Sequence, residues 1–192
     1  LTQTDLSISA FILPKVEDSA LISELPDINI IALLETPKSI KNISDIASQD
    51  KVKGLALGGA DLSASLGSTM NWDSLLYARS KIVLEAAING LFSIDSPFMN
   101  IEDLDSLRKE SKKAKDLGFN GKAAIHPSQL EIIKSSFLPS DEEILEAKEI
   151  INAFNLSPSA VISFRGRMID QPIILSMETR LRLVGIDPKN ID

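Results

Sequence analysis

Short, continuously apolar runs alternate along the chain with longer amphipathic ones. FILPKV (11–16), INIIALLE (28–35), VKGLALGG (52–59), GLFSID (90–95) and GKAAIHP (121–127) are bounded by turn residues and lack in–out alternation. They predict strands covered on both faces. Between them lie helix patterns with recognisable starts and stops. Thr36 before Pro37 predicts an N-cap and a first helical residue. Asn71 precedes a long helix expected to end near Asn89-Gly90, with Leu75, Leu76, Ile82, Val83, Ala86 and Ala87 on one broad face. Ser128 with Glu131, and Ser140 with Glu143, have capping-box spacing.

Strands alternating with helices in this way predict a parallel α/β sheet with right-handed crossovers. Two closures stay open on periodicity: an open doubly wound sheet, or part of a (β/α)8 barrel. After Phe137 the pattern changes. Residues 140–154 and 171–183 read as helices joined by a stretch containing Pro158, Gly166 and Pro172, and no further strand of the earlier kind follows. The expected organisation is therefore a parallel α/β domain over 1–138, a partial (β/α) barrel if the second closure holds, and a helical appendage or lid over 139–192.

Composition narrows the function classes. Of 192 residues, 44% are hydrophobic and 24% charged, as in an ordinary globular chain of one sizeable core. No apolar run approaches membrane-span length, and the first residues lack the basic stretch and cleavage site of a signal peptide. The absence of cysteine excludes disulfides, thiolate metal sites and a cysteine nucleophile. These features fit a cytoplasmic location. A net charge of −7 and 5% aromatic residues argue against phosphate-backbone binding and base stacking, so neither nucleic acid nor membrane is an expected partner. The basic cluster from Arg108 to Lys115 is interrupted by Glu110 and reads as a solvated helix face.

In α/β folds of either closure, ligands bind at the carboxyl ends of the strands. The polar residues there are Lys15 and Glu17, then Glu35, Asp61, Asp95 and His126. Carboxylates converging on one rim call for a cation. Glu35 and Asp61 directly follow inner strands and could give a hard divalent ion two oxygen ligands. Each also has a plain structural explanation: Glu35 precedes a helix start, where the dipole favours an acid, and Asp61 could cap a turn. Asp95, before Ser96-Pro97, reads as a turn-former, and Lys15 and Glu17 as a polar strand exit. His126, the only histidine, could act as a general base, but it lacks a nucleophile partner and fits a hydrogen-bonded rim residue better. Gly58-Gly59 is too short for a phosphate-binding fingerprint and reads as a tight strand exit.

Seven motifs in this order carry a family resemblance: LPKVE (13–17), LLETP (33–37), LGGADLSASLG (57–67), LFSIDSPF (91–98), GFNGKAAIHPSQL (118–130), FLPSDEEILEAKEI (137–150) and GRMIDQP (166–172). Together they resemble the citrate lyase β subunit and its relatives, the citramalyl-CoA and malyl-CoA lyases of the HpcH/HpaI aldolase superfamily. The resemblance implies a (β/α)8 barrel followed by a C-terminal helical lid, commonly assembled as trimers. It also implies Mg²⁺ as the cofactor, bound by the residues matching Glu35 and Asp61. Asp170 matches a lid aspartate that in the relatives enters a neighbouring subunit's active site and takes part in proton transfer. Relatives begin with three further strands and a substrate-binding arginine. The five strands here are thus expected to be strands four to eight, with the preceding third missing. Ala60 stands where many relatives carry an acid, and Arg167 where lysine is frequent.

The implied reaction is retro-Claisen cleavage of a citryl-, citramalyl- or malyl-type thioester, carried on coenzyme A or an acyl carrier protein, to an oxo acid and an acyl thioester. Two rivals accompany it. One is a truncated, catalytically incompetent barrel fragment that binds partners through its open edge. The other is the related metal-dependent aldolase class, which the GRMIDQP lid motif disfavours. Exposed barrel edges add an expectation of self-association.

Overall fold

A computed structural model describes residues 9–191. The contacts divide the chain into two units, one ending at Ile133 and the other beginning at Lys134.

The first unit carries a parallel sheet of five strands in sequential order: β1 (Phe11–Leu13), β2 (Ile30–Leu34), β3 (Val52–Leu57), β4 (Phe92–Asp95) and β5 (Gly121–Lys122). All five lie within the apolar runs that predicted them, although β1 and β5 are shorter than their runs. The intervening helices are α1 (Ser19–Ser23), α2 (Pro37–Lys41), α3 (Ile43–Ala47), α4 (Gly59–Leu66), α5 (Leu76–Asn89) and α6 (Leu104–Leu117). After β5 a short 3-10 helix, Pro127–Gln129, leads into α7 (Leu130–Phe137).

Strand register explains which residues become core. Ala32 is level with Leu55, and Leu55 with Ser93; Leu34 is level with Leu57. These positions face the helices, and Ile30, Ala32, Leu34, Leu55 and Leu57 are buried there with Ile43 and Ile46 of α3, Ile82 of α5 and Leu107 of α6. Each fully buried Leu or Ile contributes roughly 1.5–3 kcal/mol by leaving water. The opposite face is different. Ile12, Ile31, Gly54 and Phe92 form one register row, and Ile12 and Phe92 are 63% and 68% exposed. Among the described residues, the cover expected on both faces is complete only on the helix side.

Helix ends follow their capping chemistry. Thr36 caps α2 reciprocally with Ser39, and α5 stops at Gly90 in the left-handed region. Asn71 organises the turn before α5, accepting from the Ser74 amide at 2.8 Å. The buried stripe of α5 is Leu75, Ala78, Arg79, Ile82 and Ala86, narrower than the sequence suggested, because Leu76 and Ala87 face out. The Ser128–Glu131 capping box does not form. Ser128 lies inside the 3-10 helix, whose cap is His126, accepting from the Ser128 amide through Nδ1.

The second unit pairs α8 (Asp141–Asn155) with α9 (Gln171–Arg182) around Ala147, Ile150, Ile151, Ile169, Ile174, Met177 and Leu181. Ser140 and Glu143 form the expected capping box. Between the helices lies an antiparallel hairpin, β6 (Ile162–Phe164) and β7 (Arg167–Ile169), which the sequence pattern did not predict. Its two-residue loop, Arg165-Gly166, has positive φ at both positions, as the right-handed twist of such hairpins requires.

Candidate active site at the strand ends

Glu35 is the residue after β2, and Asp61 lies in the first turn of α4, just beyond β3. Neighbouring parallel strands thus deliver two carboxylates to one rim. Glu35 is only 5% exposed. Its Oε1 accepts a 2.8 Å hydrogen bond from the Lys15 amide, and Lys15 adopts a left-handed backbone, φ 52°, at the exit of β1. Gly58 makes room for this side chain. Its own amide is tied to the Leu34 carbonyl at 3.0 Å, and a Cβ at this position would collide with the Cβ of Glu35. The tight strand exit read from Gly58-Gly59 therefore has a specific purpose, which is to seat an acid.

The Glu35 carboxyl is raised above its ordinary pKa. Burial is the largest cause; the Lys15 amide opposes it, and the nearby Asp61 carboxylate, sharing a hydrogen bond, raises it further. The folded state thus holds this proton more tightly than the unfolded chain does. Its contribution to stability is complete below the ordinary value of 4.5 and is lost as pH rises through the folded pKa. Glu35→Gln keeps the acceptor for Lys15 and removes the charge. Metal-free Glu35→Gln should therefore melt above the wild type at neutral pH, with the gap closing towards pH of about 4; thermal denaturation across that range checks it.

A second cluster was not visible as a site in the sequence. Asp95, the last residue of β4 and fully buried, accepts from Arg79 Nε at 2.8 Å and from Lys122 Nζ at 2.7 Å. Lys122 also reaches Glu110 of α6 at 2.7 Å. Arg79, 2% exposed, further donates to the Trp72 carbonyl and to Ser96 Oγ, each at 3.3 Å, and stacks on the Trp72 ring 4.4 Å from its centroid. Asp95 is thus the centre of a charge-balanced network beneath α5 and α6, and the turn-former role is corrected. Burial decides this: an ionised group with no solvent must be paired.

The remaining candidates separate. His126 is exposed, with Nδ1 2.8 Å from Ser128 Oγ, and acts as a cap. Glu17 pairs with Lys38 at 3.3 Å on the surface. Asp170 sits at the N-cap of α9 in the second unit, partly exposed, and its carboxylate makes no capping hydrogen bond. An aspartate at that position ordinarily caps the helix through its side chain; this one does not.

Residues 3–127 match the HpcH/HpaI aldolase/citrate lyase family. The chain belongs to that family. A citrate lyase subunit beta-like protein from Mycobacterium tuberculosis is 32% identical over 180 residues, covering 90% of this chain and 66% of that protein. The mitochondrial citramalyl-CoA lyase of Mus musculus is 32% identical over 194 residues, covering 86% of this chain and 57% of the enzyme. A crystal structure of CitE from Mycobacterium tuberculosis, in complex with magnesium, acetoacetate and coenzyme A, superposes with a TM-score of 0.83 at 31% identity, covering 93% of this chain and 69% of that one. A (3S)-malyl-CoA thioesterase from Cereibacter sphaeroides, 34% identical over 151 residues, covering 76% of this chain and 53% of that protein, shows that the family is chemically diverse. The chain spans about two thirds or less of the length of these curated relatives.

The donor set here suits the metal seen in the CitE complex. Two carboxylates close together without a cation raise each other's cost of ionisation. Among the described residues no group of three or more His, Asp or Glu could enclose an ion. Mg²⁺ commonly takes one or two carboxylates and leaves its other positions to water and substrate, which is what Glu35 and Asp61 could offer. Among the described residues no helix is long and apolar enough to cross a membrane.

Proposed function

We propose that this chain forms the catalytic face of a Mg²⁺-dependent carbon–carbon lyase that cleaves a citryl-, citramalyl- or malyl-type thioester to an oxo acid and an acyl thioester. The observation that carries the reading is the Glu35–Asp61 pair: a buried, pKa-raised carboxyl beside a second acid at the ends of neighbouring strands. Glu35 and Asp61 hold the ion. Bound there, Mg²⁺ supplies Lewis-acid stabilisation of developing charge and orients the acid portion of the substrate.

The protein's other tasks are proton transfers. The β-hydroxyl gives up its proton, the bond between the α- and β-carbons breaks, and its electron pair passes into the thioester as an enolate. A proton then returns to the α-carbon. Asp170 is the group assigned to these transfers, because it matches the lid aspartate of the family's G-x-M-x-D-x-P motif; its carboxylate makes no capping hydrogen bond at the start of α9. It acts from the C-terminal lid segment 139–192 of a neighbouring copy in a trimer, with 1–138 supplying strands four to eight of a (β/α)8 barrel. The carrier of the acyl group is coenzyme A or an acyl carrier protein, and the assembly is cytoplasmic.

Asp170→Asn checks the proton-transfer role. The variant should turn over at least about a hundredfold more slowly, with Mg²⁺ affinity unchanged in a calorimetric titration. Unchanged turnover removes Asp170 from the mechanism. The thioesterase relative adds one discriminating readout. Lysis yields an oxo acid and an intact thioester, whereas hydrolysis yields a free thiol, so thiol release from malyl-CoA would mark the hydrolytic reading.

A further inference from the structure

Gly58 and Gly59 form a turn wedged between two side chains. On one side lies Glu35, against Gly58. On the other lies Ser96: a Cβ at Gly59 would come within 2.9 Å of Ser96 Oγ and 3.0 Å of its Cβ, with Met70 Cε also at 3.0 Å. Ser96 is fully buried, and its hydroxyl accepts from Arg79 Nη2, whose Nε is locked to Asp95. Asp61 follows Gly59 by two residues in the first turn of α4. The buried ion network is therefore connected to the acid pair through a single hydroxymethyl group.

We propose that Ser96, pinned by Arg79 and Asp95, is a positioning residue that sets the height of the Gly58-Gly59 turn and thereby the placement of Asp61 opposite Glu35. This rests on the assignment of those two acids to Mg²⁺. Ser96 does not touch the ion; it acts as a stop against which the turn rests. Mg²⁺ demands near-ideal octahedral geometry at short range, whereas Ca²⁺ accepts longer and irregular coordination. Any displacement of Asp61 should therefore weaken Mg²⁺ binding more than Ca²⁺ binding, whichever way the turn moves. Loss of packing alone would lower the melting temperature and leave that ratio untouched.

The test is calorimetric titration of Mg²⁺ and Ca²⁺ into wild type, Gly59→Ala, Ser96→Gly and the double variant, with folding verified by thermal melts. Gly59→Ala should weaken Mg²⁺ about 10–100-fold, the range of supporting residues around a metal, and Ca²⁺ less. The double variant should recover most of the lost affinity, since the new methyl then occupies the space of the missing side chain; Met70 Cε is the free end of a flexible chain and can yield. A folded Gly59→Ala with an unchanged Mg²⁺/Ca²⁺ ratio, or a double variant no better than Gly59→Ala, overturns the proposal. Should Gly59→Ala not fold, Ser96→Thr carries the test. It keeps a hydroxyl for Arg79 and adds a methyl in the same buried space, so the same loss of Mg²⁺ over Ca²⁺ is expected and an unchanged ratio is fatal. Glu35→Gln serves as control. If it binds Mg²⁺ like wild type, the metal assignment itself falls and takes this inference with it; if it loses the metal while Gly59→Ala keeps it, only the positioning role is wrong.

Discussion

Asp95→Asn should cost the fold about 3–5 kcal/mol, the usual consequence of removing one partner from a buried ion pair. Asp95 stands between Arg79 Nε and Lys122 Nζ, and all three side chains are at most 2% exposed. Asparagine keeps the size but not the charge. Arg79 would retain Ser96, the Trp72 carbonyl and the Trp72 ring. Lys122 would retain only Glu110, whose side chain is partly open to solvent. A melting temperature lower by on the order of 10 °C corresponds to that loss in a chain of this size. The double variant Asp95→Asn/Lys122→Met removes one stranded cation and should regain part of the stability, a coupling that a double-mutant cycle measures. A fall of under about 1 kcal/mol for Asp95→Asn would mean that the network is not held as an ion cluster in solution.

The second large effect concerns the metal. Glu35→Gln and Asp61→Asn should each weaken Mg²⁺ by at least about a hundredfold, since even residues one step removed from a metal are worth 10–100-fold. Neither should unfold the chain. The amide oxygen introduced by Glu35→Gln can still accept from the Lys15 amide, as the Glu35 carboxylate does at 2.8 Å. Asp61 is exposed on α4, where the loss of a helix-dipole interaction costs about 0.3–1 kcal/mol. Thermal shift gives a simple readout. Mg²⁺ at a hundred times its Kd stabilises the wild type by about 2.7 kcal/mol through mass action, and at the same concentration that gain should fall to about 0.4 kcal/mol or less in both variants. Equal Mg²⁺ stabilisation in all three proteins would place the ion elsewhere.

Much of this arrangement was legible in the sequence, for identifiable reasons. Continuous apolar runs located all five parallel strands, and the rule that ligands sit at strand ends singled out Glu35 and Asp61 before any family was considered. Asp170 came only from the resemblance. Locally it looks like a turn residue before Gln171-Pro172, and its place at the start of α9 without a capping hydrogen bond is a three-dimensional observation. The ion network stayed hidden because its bonds join residues 16, 27 and 12 positions apart, while patterning rules send charged residues to the surface. One clue was present. Arg79 falls on the same helical stripe as Leu75, Ile82 and Ala86, and a charge on an apolar stripe demands a buried partner. The hairpin of β6 and β7 escaped because each strand has only three residues, too few to show alternation, and Arg165-Gly166 is a weak turn signature beside Asn-Gly. The bare sheet face around Ile12 and Phe92 was not legible in the strand patterns themselves, because an apolar run looks the same whether or not both sides of its strand are covered.

The measurement that bears most directly on the proposed function is oxo-acid release from citryl-, citramalyl- and malyl-CoA, with and without Mg²⁺, by wild type and by Glu35→Gln. The expected result is release from at least one thioester that requires Mg²⁺ and is lost in Glu35→Gln, with the acyl thioester recovered intact. No release by a folded wild type that demonstrably binds Mg²⁺ would contradict it and leave a metal-holding family member without the lyase reaction.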